Sequence, residues 1–184
     1  MTDVATPTLV VVSGPPRTGK TTLAHTLAHE LPCPAVCRDE IKEGMVHAAG
    51  EGFQPAAGDP LTQRTLPVFF DILGTLLTAG VTTVAEAAFQ DRLWRHGLEP
   101  LLGRASLRIV QCHADPSVGR ERRRLALEGG QTAHAAIVGD RDEDWRRAYA
   151  EFDRLSLPAP SLDVDTSHGY VPGIEAIVGF VNQR

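Results

Sequence analysis

The sequence predicts an α/β fold in which a five-stranded parallel sheet is covered by helices on both faces. Three observations carry this expectation. Short apolar, β-rich runs recur at residues 9–12, 35–37, 81–85, 107–112 and 162–164, with helical patterns between them, and strands that alternate with helices build parallel sheets. The first run leads into a glycine-rich loop and then into Leu23, Leu27 and Leu31, spaced as one face of a helix. Finally, 184 residues with 42% hydrophobic and 22% charged content suit one domain, residues 1–184, with a sizeable core.

Taken in order, the first helix covers residues 22–31 and is stopped by Pro32. A second begins near Asp39 and fades into residues 48–60, where three Gly and two Pro mark a loop. Leu66, Phe69, Phe70, Leu73, Leu76 and Leu77 describe a long buried helix over 61–79, closed by Gly80. Pro67 lies inside that pattern, so either a kink sits there or the helix starts beside it. Further helices are expected at 93–102, 116–127 and 172–181, with an exposed loop over 128–136.

The loop at residues 14–21 reads Gly-Pro-Pro-Arg-Thr-Gly-Lys-Thr, a complete G-x-x-x-x-G-K-[ST] phosphate-binding sequence. Gly14 and Gly19 let the backbone curl until successive N–H groups point inward at phosphates. Pro15, Pro16 and Arg17 make a stiffened segment carrying an extra cation, and Thr18 completes the curl. Lys20 supplies a mobile charge for the β- and γ-phosphates. Thr21 offers a hydroxyl to Mg²⁺, and Thr22 continues the helix amino end, whose dipole favours anions. These residues predict a bound nucleoside triphosphate.

Composition narrows the alternatives. A net charge of −5 gives no global attraction to polyanions and weighs against a nucleic acid partner. No apolar run approaches the roughly 20 residues that cross a bilayer, and the first eight residues are too short and polar for a signal peptide, so a cytoplasmic protein is expected. Three cysteines, Cys33, Cys37 and Cys112, fit reduced and mostly buried thiols. Cys33-x-x-x-Cys37 lacks a second ligand pair, and His25-x-x-x-His29 lacks an evident third ligand, so neither reads as a metal site.

Ligands of open α/β sheets bind beyond the carboxyl ends of the strands. Arg38, Asp39 and Glu40 follow the second predicted strand, Glu86 the third, His113 and Asp115 the fourth, and Asp165, Thr166 and Ser167 the fifth. Asp39 suits a general base, since a carboxylate can orient an acceptor hydroxyl and take its proton; it also suits a helix N-cap. Arg38 and Lys42 could position an acceptor or a phosphate, or lie on solvated surface. Glu86 could hold Mg²⁺ through water, as Asp39 could, or contact the acceptor, or open the next connection. The segment Arg120, Glu121, Arg122, Arg123, Arg124 supplies cations for a transferring phosphoryl group, with Arg122 and Arg123 as the candidates, or else a solvated helix face. Trp94 and Trp145 read as packing anchors.

The phosphate loop, Cys37-Arg38-Asp39-Glu40-Ile41-Lys42, the arginine-rich stretch after His113-Ala114-Asp115-Pro116, and Val164-Asp165-Thr166-Ser167 together resemble the small P-loop kinases, a group of AAA-type ATP-binding proteins. Most similar in pattern are the 5′-hydroxyl kinase domain of polynucleotide kinase and the chloramphenicol phosphotransferase-like enzymes. Shikimate and gluconate kinases and zeta toxins are wider relatives. The resemblance spans roughly residues 9–181. It implies the three-layer P-loop NTPase fold with strand order 2-3-1-4-5, ATP and Mg²⁺ as cofactors, and a small lid at approximately residues 120–147. It implies too that Asp39 is the catalytic aspartate, that Arg122 is a lid arginine, that Lys42 falls where an acceptor phosphate is held, and that Thr166 lies near the adenine. One departure stands out: Ala126 occupies the place of a second lid arginine. The expected activity is transfer of the γ-phosphoryl group of ATP to a hydroxyl of a small molecule, such as an antibiotic or other natural product. Its rivals are a polynucleotide or RNA 5′-hydroxyl kinase and an ATP-dependent switch or binding module.

Overall fold

The computed structural model describes residues 6–50, 59–128 and 141–183. The loop expected over 128–136 and most of the glycine- and proline-rich stretch over 48–60 fall outside these residues, as does the middle of the expected lid. The chain runs β1 (Thr8–Ser13), α1 (Lys20–Glu30), β2 (Ala35–Cys37), α2 (Arg38–Ala49), α3 (Pro60–Thr78), β3 (Thr83–Glu86), α4 (Asp91–Leu98), β4 (Ser106–His113), α5 (Pro116–Glu128), α6 (Asp142–Ala150), β5 (Ser161–Asp165) and α7 (Ile174–Asn182). The five strands form one sheet in the order β2-β3-β1-β4-β5, and every pairing is parallel. This is the sheet of the P-loop kinase fold.

The register sets the site. Val12 pairs with Glu86, Cys37 pairs with the same Glu86, and His113 pairs with Asp165. The polar residues that follow the apolar runs are therefore gathered along one edge of the sheet. Central β1 is buried from Leu9 to Ser13 because both of its faces are covered. Leu9 and Val11 face a core built with α3, where Phe69, Leu73 and Leu77 are buried, while Val10 and Val12 face α1 and α7 through Leu23, Leu27 and Ile177. An α1 with Leu at four-residue spacing can supply only one such face.

Helices α1 and α6 differ from the sequence expectation, whereas α3 matches the expected long helix and answers the alternative left open at Pro67. Helix α1 starts at Lys20, so the phosphate-loop lysine and threonine form its first turn. Helix α3 starts well before Pro67, because Asp59 caps it by accepting the Thr62 N–H at 2.7 Å, and it runs unbroken past the proline. Pro67 lies on the exposed side, where water can serve the carbonyl whose donor the ring removes. Helix α6 was not foreseen; three acids in its first turn and Arg147 in its last complement the helix dipole.

The two tryptophans do act as anchors. Trp145 is buried against Tyr149, their ring centroids 6.0 Å apart. Trp94 joins Phe69, Phe70 and Phe89 in an aromatic cluster, with Phe89 centred 4.8 Å away. Phe69 is fully buried at the centre of that cluster and touches both Phe89 and Trp94 edge-on or tilted. Phe69→Ala should therefore lower the unfolding free energy by about 3–5 kcal/mol. Denaturant melts check this, and a loss below about 1 kcal/mol would mean that α3 is held by something other than this cluster.

Candidate active site

The phosphate loop begins where β1 ends, and its backbone leaves the extended conformation at once. Gly14 has φ +149° and lies so close to β4 that a Cβ would overlap the Cys112 carbonyl oxygen. Arg17 and Gly19 also adopt positive φ, 60° and 78°. Arg17 is the costlier of the two, because an L side chain disfavours that region and persists there only when surroundings fix it. Those surroundings are visible. The Thr18 hydroxyl donates to the Pro15 carbonyl at 2.9 Å, and the buried Lys20 Nζ donates to the same carbonyl at 2.8 Å.

Three side chains from the far half of the sheet hold the outer rim of the loop. Arg122 Nη1 donates to the Arg17 carbonyl at 3.3 Å, and its Nη2 donates to the Thr166 carbonyl at 2.6 Å. The Thr166 hydroxyl donates to the Thr18 carbonyl and lies 3.0 Å from that of His113. The Tyr149 hydroxyl donates to the Pro16 carbonyl at 2.7 Å. Tyr149 reaches the loop only because Gly119 of α5 has no side chain, since a Cβ there would overlap the tyrosine oxygen. Of the predicted arginines, then, the structure brings Arg122 to the loop. It places Arg123 in a groove between α5 and α6, with Arg120 and Arg124.

On the β2–β3 side the loop meets acids. The Thr21 hydroxyl donates to Glu86 Oε2 at 3.1 Å, and Glu86 is only 2% exposed. Burial pushes the Glu86 carboxyl above its ordinary range; the Lys20 ammonium and the Thr21 hydrogen bond pull it down, while Asp39 and Glu40 push it up. Asp39 sits in the first turn of α2 and accepts from Arg38 Nη1 at 2.7 Å. Arg38 Nε is buried with no hydrogen-bond partner among the described residues. Burial, and then the charges of Glu86, Glu40 and Asp39, hold the Cys37 thiol protonated far above its usual range. Cys112, beneath the loop, is pushed up to about 12, chiefly by burial. All three cysteines are free thiols.

Lys42 lies deeper than a surface cation. It is 5% exposed, and its Nζ donates to Asp59 Oδ2 and to Thr62 Oγ1, both at 2.7 Å, tying α2 to the capped start of α3. Thr22 is exposed on α1 beyond Thr21. Asp115 and Asp165 act locally: each carboxylate accepts the backbone N–H of the serine two residues on, Ser117 or Ser167, at 2.8 Å. The hydrogen bonds of the Ser117 and Ser167 side chains, and then these backbone bonds, hold both carboxyls below the usual range.

On the β4 side, a cavity of about 490 Å³ opens beside Gly14 and Pro15, walled by Gln111, Arg146, Tyr149 and Phe152. Sequence reading missed that wall and the Tyr149 contact. The signal was Trp145 and Tyr149 at i,i+4 opposite Gly119.

Because the folded-state pKa of Glu86 is raised, its protonated form contributes stability that is complete below its ordinary value of 4.5 and is lost as pH rises through the raised value. Glu86→Gln stays neutral and keeps an oxygen for Thr21. It should match the wild type in acid and exceed its melting temperature at neutral pH and above. A pH series of thermal melts reads this, and a variant less stable than wild type at neutral pH would contradict the burial-dominated carboxylate.

The chain matches the family model described as AAA domain over residues 9–134. A search of curated proteins finds no match. Among solved structures it is similar to a presumptive kinase from Chloroflexus aurantiacus, 26% identical with a TM-score of 0.82, over 97% of this chain and 98% of that one. It is similar in fold to a sugar kinase from Janibacter sp. HTCC2649, 17% identical with a TM-score of 0.61, over 96% of this chain and 95% of the other. It also shares its fold with a chain of the Pnkp1/Rnl/Hen1 RNA repair complex, 16% identical with a TM-score of 0.57, over 79% of this chain and 44% of that one. The match covers well over half of the sequence and includes the phosphate loop, and the chain belongs to this AAA domain family as a small P-loop kinase-like protein.

Proposed function

We propose that this protein transfers the γ-phosphoryl group of ATP to a hydroxyl of a small-molecule acceptor, as an antibiotic or another natural product would present. The observation that carries the reading is the position of Asp39. It stands in the first turn of α2, close enough to Glu86 to raise that carboxyl, and Glu86 in turn accepts from the Thr21 hydroxyl of the phosphate loop. A half-exposed carboxylate beside the triphosphate seat is where an acceptor hydroxyl must be aligned and relieved of its proton.

The backbone N–H groups of Gly14, Arg17, Thr18 and Gly19 and the Lys20 ammonium bind and neutralise the phosphates; Pro15 and Pro16 have no N–H to give. The Thr21 hydroxyl and the buried Glu86 carboxylate, with Asp39 beyond, are hard oxygen donors that fit Mg²⁺, directly or through water. When bound, Mg²⁺ supplies charge neutralisation on the transferring phosphoryl group. Arg122 sits over the rim beside Gly19 and contributes positive charge to the equatorial oxygens, and Thr166 lines the nucleotide side. Arg38, whose Nε has no partner among the described residues, offers that donor to an oxygen of the acceptor. In this reading the chain is a single domain with a lid at approximately residues 120–147, of which the described parts, α5 and α6, are linked by the Arg120–Asp142 ion pair at 2.6 Å. Arg123, in the groove between those helices, serves the lid rather than the phosphates.

A small molecule is favoured over a nucleic acid strand by the net charge of −5, which gives no general attraction to a polyanion. No helix among the described residues is long and apolar enough to cross a membrane, and free thiols fit a reducing compartment such as the cytoplasm.

Asp39→Asn should leave ATP affinity within a few-fold of wild type and lower phosphoryl transfer by roughly 10²–10⁴-fold. Calorimetry with ATP and initial-rate assays separate the two quantities. Full transfer by Asp39→Asn would remove Asp39 as the base.

A further inference from the structure

Two sequence features remain unused by the phosphoryl-transfer machinery: the pair His25 and His29 on α1, and the pair Cys33 and Cys37 flanking β2. Each lacks a further ligand when read along the chain. The fold takes one member from each pair and adds a third group. His25 Nε2 lies 2.6 Å from Glu40 Oε1 and 3.8 Å from Cys37 Sγ, and the three donor atoms all fall within 4.8 Å of one another. We propose that His25, Cys37 and Glu40 form a binding site for a thiophilic divalent cation of the Zn²⁺ class, with three protein ligands and one open position.

The donor set makes the choice of metal. A thiol sulfur with an imidazole nitrogen suits Zn²⁺ and its neighbours, whereas Mg²⁺ and Ca²⁺ take oxygen. Tetrahedral bonds of about 2.3 Å to sulfur and about 2.0 Å to nitrogen and oxygen separate S from N by about 3.6 Å and N from O by about 3.3 Å. The sulfur–nitrogen spacing already fits. The nitrogen–oxygen pair must open from hydrogen-bond to coordination distance, and both side chains are free to do so, being 52% and 46% exposed.

Why the chain places them together follows from the fold. Leu23 and Leu27 turn one face of α1 into the core, which leaves His25 on the rim facing the end of β2. Cys37 is the last residue of β2, and Glu40 lies in the first turn of α2. The sulfur is buried on the protein side, while His25 and Glu40 are open to solvent, so a cation has an entry path. Burial, and then the charges of Glu86, Glu40 and Asp39, keep the free Cys37 thiol protonated, so binding releases that proton to solvent, and the same negative charges then favour the bound cation. The cation would bridge α1 to the junction of β2 and α2, with ligands two residues before Asp39 and one residue after it.

The test uses purified protein and Co²⁺ as a spectroscopic stand-in, with Zn²⁺ competition. Wild type should bind one Co²⁺ per chain with a thiolate-to-metal charge-transfer band and intense tetrahedral d–d bands, both erased by one equivalent of Zn²⁺. Cys37→Ser should abolish the charge-transfer band. His25→Ala, at an exposed position that folding does not need, should weaken Zn²⁺ affinity by more than the roughly 10–100-fold that follows loss of an outer-shell partner. Glu40→Gln should weaken it too, while His29→Ala and Cys33→Ser should bind as wild type. Absence of stoichiometric binding, a band that survives Cys37→Ser, or affinity unchanged in His25→Ala would each overturn the site. None of these readouts depends on phosphoryl transfer.

Discussion

Lys20 and Glu86 are both buried at the carboxyl end of the sheet, and the geometry of the site depends on that arrangement. Removing an ammonium or a carboxylate from water costs several kcal/mol, on the order estimated for ions in real proteins, unless other groups replace the lost hydration. The loop itself supplies part of the replacement, and burial still leaves the Glu86 carboxyl raised. Pro15 gives its carbonyl to Lys20, Thr21 gives its hydroxyl to Glu86, and the two charges attract each other. The loop must therefore curl tightly enough to bring the Pro15 carbonyl over the first turn of α1. That demand explains the positive φ at Gly14, Arg17 and Gly19, and the absence of a side chain where Gly14 passes Cys112.

A curled loop with inward amides turns several carbonyls outward, and unpaired carbonyls are costly when buried. The second half of the chain supplies the partners. Arg122, Tyr149 and Thr166 each bond to a loop carbonyl, from α5, from α6 and from the turn after β5. The elements on either side of the proposed lid are thus attached to the backbone of the phosphate seat. A movement of α5 or α6 would be felt at Arg17 and Pro16 directly. In the proposed reaction, this gives lid closure a mechanical route to the phosphates without any side chain changing its role.

Most of the architecture is legible along the sequence because the signals are local. Strand runs, the leucine spacing of α1 and the glycine loop each need only neighbouring residues. The pairing of Val12 and Cys37 with Glu86 follows once the strand order is known, and that order came from resemblance to the small P-loop kinases. What escaped reading is non-local. Lys42 could be read as a group that positions an acceptor or as solvated surface, and its burial against Asp59, across a stretch of glycine and proline, was not readable. Arg122 and Arg123 are adjacent in sequence and alike in chemistry, yet helix rotation sends one to the loop and the other to the α5–α6 groove. Tyr149 offered only its i,i+4 spacing from Trp145, and its meaning rests on the missing side chain of Gly119. The proximity of His25, Cys37 and Glu40 was hidden because they come from α1, β2 and α2.

The central claim is that the buried Lys20–Glu86 seat delivers a γ-phosphoryl group to an organic hydroxyl beside Asp39. The most direct measurement is to incubate the protein with ATP labelled in that group against sugars, nucleosides, antibiotics and 5′-hydroxyl oligonucleotides, and to follow where the label goes. The account predicts a stable phosphate ester on a small-molecule alcohol. Label released only as inorganic phosphate across the panel, or carried only by oligonucleotide ends, would contradict it.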